Sequence, residues 1–514
     1  MKRKIKTPIG VFLFKINLFK PLYNGDIMKD YSIWLDEVKR KKYKKLNKDE
    51  ECDILIIGGG ITGFSCAYFL KDLKKKIILV DANKICTGTT AKSTGKLTYL
   101  QEDYLNKMTS IYDKNVVLNY IESQKYAIKL AKKIIIENKI DCNFESVNSY
   151  IFSNSHINKF KIYDLYNNFK NNFNIKLVKK MPFKTKCLVA LEGNDSYVFN
   201  PVKFILGLAN VVENNISIFE NTRIINLKNE KDFFSCSTNK FNIKAKKVIL
   251  ACHYPFFIFP YLFPLKTSIE KSYIVAGKTL SEKKISAINI DKNLLSFRFY
   301  KNKDNYILNV VENSKLYKNV NDLQKRNDAI WYMKSNFTPD IKYCWSNHDI
   351  MTSDYLPLIG KIEENLYLAT GYNTWGMTNG ILAGKIISDF IINKKNIYSD
   401  IFNPLRSFNN IPKMLLNNCS NGFAFMDSKL IKNKSFYNKN VKIINENGID
   451  YGIYIDEKNV EHKVYNLCPH MKCNLYFNYQ TKTWDCPCHG SSFDIDGNLI
   501  FGPASFNIKI KNSK

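Results

Sequence analysis

The segment CDILIIGGGITGFSCAYFL, Cys52 to Leu70, restricts the fold more than any other stretch of the chain. Its apolar run from Ile54 to Ile57 reads as a strand buried on both faces, as in a parallel sheet. Gly58, Gly60 and Gly63 then form G-x-G-x-x-G, and Phe64, Ala67 and Leu70 continue with a helical period. A second strand, KKIILVD, ends in Asp81, eighteen residues after Gly63. The first glycine permits the tight turn, the second lets a pyrophosphate approach the backbone, and the third lets helix and strand pack closely. The helix N-terminus then faces the phosphates, and Asp81 is spaced to hydrogen-bond a ribose hydroxyl. The glycines alone would be weak evidence; strand, turn, helix and acid together specify a dinucleotide cradle.

With 514 residues the chain has room for about three domains. The net charge of +30 comes almost entirely from Lys spread through every segment, and no nucleic-acid-binding motif accompanies it. The densest basic run, Lys39 to Lys45, reads as a solvated tether, with any membrane contact at most peripheral. The apolar stretch 9–23 is broken by Lys and too short to span a bilayer, so the expected location is the cytoplasm. Met28 offers an alternative start, which would make residues 1–27 dispensable. Cysteines at 52, 66, 86, 142, 187, 236, 252, 344 and 419 are scattered singly, as expected of reduced, mostly buried thiols.

Two further segments separate FAD from NAD. ICTGTTAKSTGKLTY, Ile85 to Tyr99, follows the acid strand and is rich in small hydroxyl residues. NLYLATGYNTWGMTNGILAGKIISDFI gives a late strand, a Gly-rich turn and a helix from about residue 378. This pair resembles the flavoprotein family of D-amino-acid oxidase, glycine oxidase and sarcosine oxidase. The resemblance implies FAD, with Gly88, Thr89 and Thr90 along its diphosphate and Gly371, Gly376 and Thr378 near its ring. KAKKVILACHYPF, Lys244 to Phe256, resembles the strand that returns to the FAD domain in that family. The intervening segments would form a substrate domain, an antiparallel sheet over the flavin. There the resemblance aims Arg298 of LLSFRFY at the cavity, where it could hold a substrate carboxylate by a bidentate pair. His253 and His348 could serve as polar groups near the flavin, but read first as hydrogen-bonded structural histidines.

The C-terminal segment CPHMKCNLYFNYQTKTWDCPCHGSSF, Cys468 to Phe493, concentrates the remaining chemistry. Cys468 and His470 form C-x-H, and Cys486 and His489 form C-x-x-H. Two thiolates and two imidazoles could bind zinc, but each half contributes one Cys and one His, an arrangement that matches a Rieske [2Fe–2S] centre. The surrounding residues and the GPAS loop, Gly502 to Ser505, resemble the Rieske family. That resemblance implies iron ligation by Cys468, His470, Cys486 and His489, and a loop-bridging disulfide between Cys473 and Cys488, as in members of the cytochrome bc and b6f type. It also implies a hydroxyl–sulfide hydrogen bond from Ser491. Phe493 stands where respiratory members have a tyrosine that donates to a ligand sulfur. Losing that donor lowers the potential, to a value below the top of the Rieske range of about −150 to +300 mV.

The expected architecture is an α/β FAD-binding Rossmann-type domain with an α+β substrate domain, followed by a small all-β Rieske domain. Residues 1–47 read as an extension. The oxidoreductase spans 48–405, with FAD-binding parts about 48–150, 200–255 and 345–405 and a substrate domain about 150–200 and 256–344. Residues 406–418 read as a linker and 419–514 as the Rieske domain. The whole resembles bacterial oxidoreductases of the glycine/D-amino-acid oxidase type with a C-terminal Rieske domain. A flavin takes two electrons from a C–H bond beside nitrogen, whereas a Rieske cluster carries one at a time. The fusion therefore implies an amine or amino-acid dehydrogenase passing electrons to a one-electron acceptor, protein or quinone. Three alternatives stay open: a flavin reductase fed through the cluster, an oxygen-using amine oxidase with a sensory or structural cluster, and a non-enzymatic electron-transfer subunit.

Overall fold

The fold is taken from a computed structural model, which describes residues 28–183, 185–256, 263–291, 295–315, 322–407, 440–479 and 481–510. The expected dispensable segment 1–27 and most of the expected linker 406–418 lie outside the described residues.

Strand Glu50–Ile57 is buried along its second half and lies between parallel neighbours, Asn242–Leu250 on one side and Ile77–Val80 on the other. Ile216–Phe219 extends the sheet beyond Ile77–Val80, and Leu366–Thr370 extends it beyond Asn242–Leu250, both in parallel. Leu358–Glu363 closes that edge antiparallel. The run KAKKVIL thus returns to the nucleotide-binding sheet, next to the glycine turn. Helices Ile61–Leu70 and Gly376–Ile391 pack on one face, where Gly384 lets the two backbones approach: a Cβ there would meet Ser65 Cβ at 2.4 Å. The late helix starts at Gly376, two residues before the position expected from sequence.

The second sheet has nine strands, beginning with Ile341–Thr352, Thr267–Lys278, Asn305–Lys315, Leu295–Lys301 and Ile285–Asn289. It is mixed, not purely antiparallel as expected: Ile285–Asn289 pairs in parallel with Glu145–Ser153. This sheet covers the open side of the nucleotide cradle. Near the C-terminus, two small antiparallel sheets form the third unit, three strands over 441–465 and four over 476–501. They pack around Trp484 and Phe493, both fully buried.

Residues 28–47 pack against the fold and are no free extension, while the lysines of the basic run are exposed as expected. Ile33 and Trp34 are fully buried, and Trp34 Nε1 donates to the Ser93 carbonyl at 2.7 Å. Within the basic run, Arg40 donates to the Ile85 carbonyl and Lys41 pairs with Glu213 at 2.7 Å. The lysines read as solvated because charge dominates the local composition, yet their backbone edges the first sheet, with Leu46 N donating to Thr222 Oγ1 at 3.1 Å. No helix among the described residues is long and apolar enough to cross a membrane.

Candidate functional site: a nucleotide cradle facing a cysteine–histidine cluster

Gly58 sits at φ +120°, and a Cβ there would lie 2.4 Å from the Ala251 carbonyl oxygen. A Cβ on Gly63 would fall 1.8 Å from the Gly58 carbonyl oxygen, so only glycine lets the helix start this close to the strand. Asp81 accepts from the backbone N–H of Gly59 and of Asn83, each at 2.8 Å, which ties the acid strand to the turn. Burial pushes its carboxyl above the ordinary carboxylate range. Thr90 Oγ1 accepts from the Ile61 N–H at 3.0 Å, holding the Gly88–Thr90 loop against the helix N-terminus. The Thr89 hydroxyl is buried without a partner, and a Cβ on Gly88 would meet open space.

These residues line one cavity. Gly58, Gly60, Asp81, Gly88, Thr89, Thr90, Gly371 and Gly376 all contribute to its wall. Gly63 and Thr378 do not. Gly63 acts one layer below, in the helix–strand contact, and Thr378 is fully buried, its hydroxyl bonded to Gln101 and to the Trp375 carbonyl, each at 3.3 Å. A cradle of backbone N–H groups and an unpartnered hydroxyl beside open space fits a diphosphate.

Arg298 is a correction. Its guanidinium is fully buried outside the cavity wall, and one nitrogen donates to the carbonyls of Thr94, Gly95 and Phe199 at 2.7–3.0 Å. Trp34 and Tyr300 stack near it, with ring centroids 5.3 and 5.4 Å from its central carbon. The side chain pins loop 94–95 and lies outside the cavity wall, with its other terminal nitrogen unpartnered among the described residues. The family resemblance aimed it at the cavity, and only the fold reveals that Trp34 of the N-terminal segment packs beside it.

At the C-terminal site, two loops face each other. Cys468 N donates to the Cys473 carbonyl at 2.9 Å, and Cys486 N to the Ser491 carbonyl at 2.7 Å, so both ligand loops are closed turns. The Cys468 thiol lies beside the Cys486 thiol, an interaction that lowers Cys468 below the ordinary thiol range. The His470 and His489 rings lie 5.0 Å apart and nearly perpendicular. Both nitrogens of His470 and Nδ1 of His489 are buried without partners. Two adjoining thiols beside two imidazoles with orphaned nitrogens fit a cluster held by two Cys and two His. Cys473 and Cys488 lie with sulfurs 2.01 Å apart, joining the loops. Ser491 Oγ accepts from the Ala504 N–H at 3.1 Å. Phe493 is fully buried beneath the site and offers no donor.

The two sites meet. His489 and residues 500–504 belong to the same cavity wall as the nucleotide cradle. Asn83 Nδ2 donates to the Ile500 carbonyl at 3.1 Å. The Phe501 ring lies between His253 and His348, 6.0 and 5.6 Å away, with Lys92 Nζ 5.4 Å from its centroid. Tyr254 faces both cluster-side rings, 6.3 Å from His470 and 5.8 Å from His489. His253 and His348 are therefore cavity groups and not satisfied core histidines; Nε2 of each has no partner among the described residues. Sequence reading missed Tyr254 and Phe501 as contacts, because an aromatic residue in a strand or turn carries no sign of what will dock on it. The same wall contains Glu102 and Asp349, which no local motif marks.

A family described as FAD dependent oxidoreductase, DAO, matches residues 53–390, and the Rieske [2Fe-2S] domain family matches 427–511. The chain belongs to the DAO family of FAD-dependent oxidoreductases and carries a C-terminal Rieske domain; FAD and a Rieske [2Fe–2S] cluster are its cofactors. It is 28% identical over 490 residues to the putative Rieske 2Fe-2S iron-sulfur protein YhfW of Bacillus subtilis (strain 168), covering 92% of this chain and 95% of that one. It is 19% identical to gamma-glutamylputrescine oxidoreductase of Escherichia coli (strain K12), covering 69% and 86%. The fold matches glycine oxidase from Geobacillus kaustophilus with a TM-score of 0.58 at 14% identity, over 70% of this chain and 100% of that one.

Proposed function

We propose that the chain is an amine or amino-acid dehydrogenase whose electrons leave through the Rieske centre to a one-electron acceptor, a protein or a quinone. The observation that carries this reading is the shared cavity, in which His489 and the Phe501 loop form part of the same wall as the nucleotide cradle. FAD would accept the electrons of a C–H bond beside nitrogen, and the cluster would pass them on singly. The chain's residues supply position and shielding. Gly58, Gly60 and the Gly88–Thr90 loop would hold the diphosphate against the helix N-terminus, with Asp81 towards a ribose. Cys468 and Cys486 would hold one iron, His470 and His489 the other, and the Cys473–Cys488 disulfide would brace the two loops. Tyr254, Phe501, His253 and His348 stand in the space between the two sites.

An oxidase discharging straight to oxygen has no need of a cluster seated on its cavity, which favours the dehydrogenase. The relative named for gamma-glutamylputrescine supports a donor with a C–H bond next to nitrogen. The test is electron paramagnetic resonance of the anaerobic protein before and after addition of a panel of amines and amino acids. A reduced Rieske signal raised by one of them is expected. A signal raised only by a chemical reductant would sink the reading.

A further inference from the structure

Glu102 is 5% exposed, lines the cavity and holds a backbone φ of 52°, a conformation that L residues other than Asn and Asp adopt rarely. Among the described residues no hydrogen bond or ion pair reaches its carboxylate. Asp349 lines the same cavity, and its side chain receives one long contact, from Asn347 Nδ2 at 3.4 Å. Directly across the antiparallel pair from Asp349 stands Glu270, a like charge in a position where like charges destabilise a sheet. Burial pushes Glu102 and Asp349 each up to about 7. The Glu270 charge adds to it at Asp349, while at Glu102 the Lys107 charge opposes it and the Glu270 and Asp349 charges add to it.

A second, independent observation points the same way. Asn347 is 7% exposed, lines this wall, and its carbonyl oxygen has no donor. This end of the cavity thus offers three acceptors, two of them carboxylates, and leaves their capacity unfilled. Buried acceptors of this kind cost free energy until a donor arrives, and a donor carrying positive charge satisfies them best. Trp375, also in the wall, packs with Tyr104, Ile288 and Met351 into an apolar patch beside them, suited to an alkyl chain.

The cationic groups stand away from this end of the cavity or are engaged: Lys92, also in the wall, lies at the cluster end with Nζ 5.4 Å from the Phe501 ring centroid. Arg298 is bound to backbone carbonyls, and Arg223, the arginine among the lining residues, acts on Asp81 at the nucleotide end. Lys96 donates to Ser296 Oγ at 2.6 Å and is pushed down to about 7 by burial.

We propose that Glu102, Asp349 and Asn347 form a cation subsite, and that the substrate is an alkylamine that presents its ammonium group there and bears no carboxylate on the reacting carbon. The substrate class rests on the amine-dehydrogenase reading; the subsite itself does not.

The experiment compares two isosteric ligands that cannot be oxidised next to nitrogen, tert-butylammonium and trimethylacetate. Each is titrated into the full-length holoprotein at pH 8, with binding read from the flavin absorption band. The cation is expected to bind at least about tenfold tighter than the anion, the scale of one charge-assisted hydrogen bond. Asp349→Asn and, separately, Glu102→Gln are expected to erase that preference while flavin content and the chemically reduced Rieske signal stay as in the wild type. Equal or tighter binding of the anion, binding of neither ligand, or an undiminished preference in a variant that retains both cofactors would overturn the subsite. If the cation binds but no oxidisable amine reduces the flavin, the subsite stands and the dehydrogenase reading falls. If amino acids reduce the flavin and the cation does not bind, the dehydrogenase stands and the subsite falls.

Discussion

Two carboxyl groups held at about 7 make the cavity sensitive to pH in a direction that can be worked out. An exposed carboxyl titrates near about 4, so Glu102 and Asp349 bind their protons more tightly in the folded state than in the unfolded one. The stability they contribute is complete below about 4 and is lost as pH rises through about 7. Thermal melts of the wild type are therefore expected to fall over that interval more steeply than those of a Glu102→Gln, Asp349→Asn double variant. Cation binding runs the opposite way and strengthens as the carboxylates ionise. Equal slopes for the two proteins would exclude these acids as the source. Gly63 is a second case at this scale. A methyl group 1.8 Å from a carbonyl oxygen cannot be absorbed by a side-chain shift, so Gly63→Ala should yield protein lacking flavin, as read from its visible spectrum. Phe493 is the third. Phe493→Tyr adds a donor beneath the cluster, and potentiometric titration should show a higher midpoint than in the wild type.

Among elements, the strand Leu499–Phe501 bears on function, because its last residue, Phe501, lies against His253 and His348. Phe501→Ala should leave both cofactors in place and slow cluster reduction by the reduced flavin, seen by rapid-mixing spectroscopy as a lag between flavin bleaching and the cluster signal. Bleaching and signal that remain synchronous would show that this contact is irrelevant to transfer. The loop before the late Gly-rich turn is held differently. Asp354 is fully buried, and Arg406 grips it with two bonds of 2.9 Å while also donating to the Leu356 and Pro357 carbonyls. Arg406→Ala strands a buried carboxylate, and urea unfolding should show a loss of about 3–5 kcal/mol. Sequence reading placed residue 406 at the first position of a linker, since Pro404 and Pro412 bracket a stretch without periodicity. That reading treats proline as punctuation and has no way to see a guanidinium reaching back fifty-two residues.

On the scale of the whole molecule, cofactor identity could be read along the chain because each cofactor is held by a local pattern. Gly58, Gly60, Gly63 and Asp81 fall within one strand–helix–strand unit, and the four Rieske ligands fall within two short loops. Turn geometry and ligand spacing are properties of contiguous backbone, so these residues must appear at fixed intervals whatever surrounds them. The order of cofactor-binding parts was legible through the families those local patterns resemble. What only the tertiary structure decided is the space between the patterns. Trp34, from a segment that reads as an extension, closes the pocket around Arg298 and takes that arginine out of the cavity. Glu102, Asn347 and Asp349 converge from a left-handed turn and a strand more than two hundred residues apart, and the register that sets Asp349 opposite Glu270 depends on a sheet of nine strands. Phe501 gains its meaning only where the Rieske domain docks. Sequence by itself determined which cofactors this chain holds, because local geometry selects for them; the fold decided what those cofactors face, because packing between distant segments leaves no periodic trace in either one.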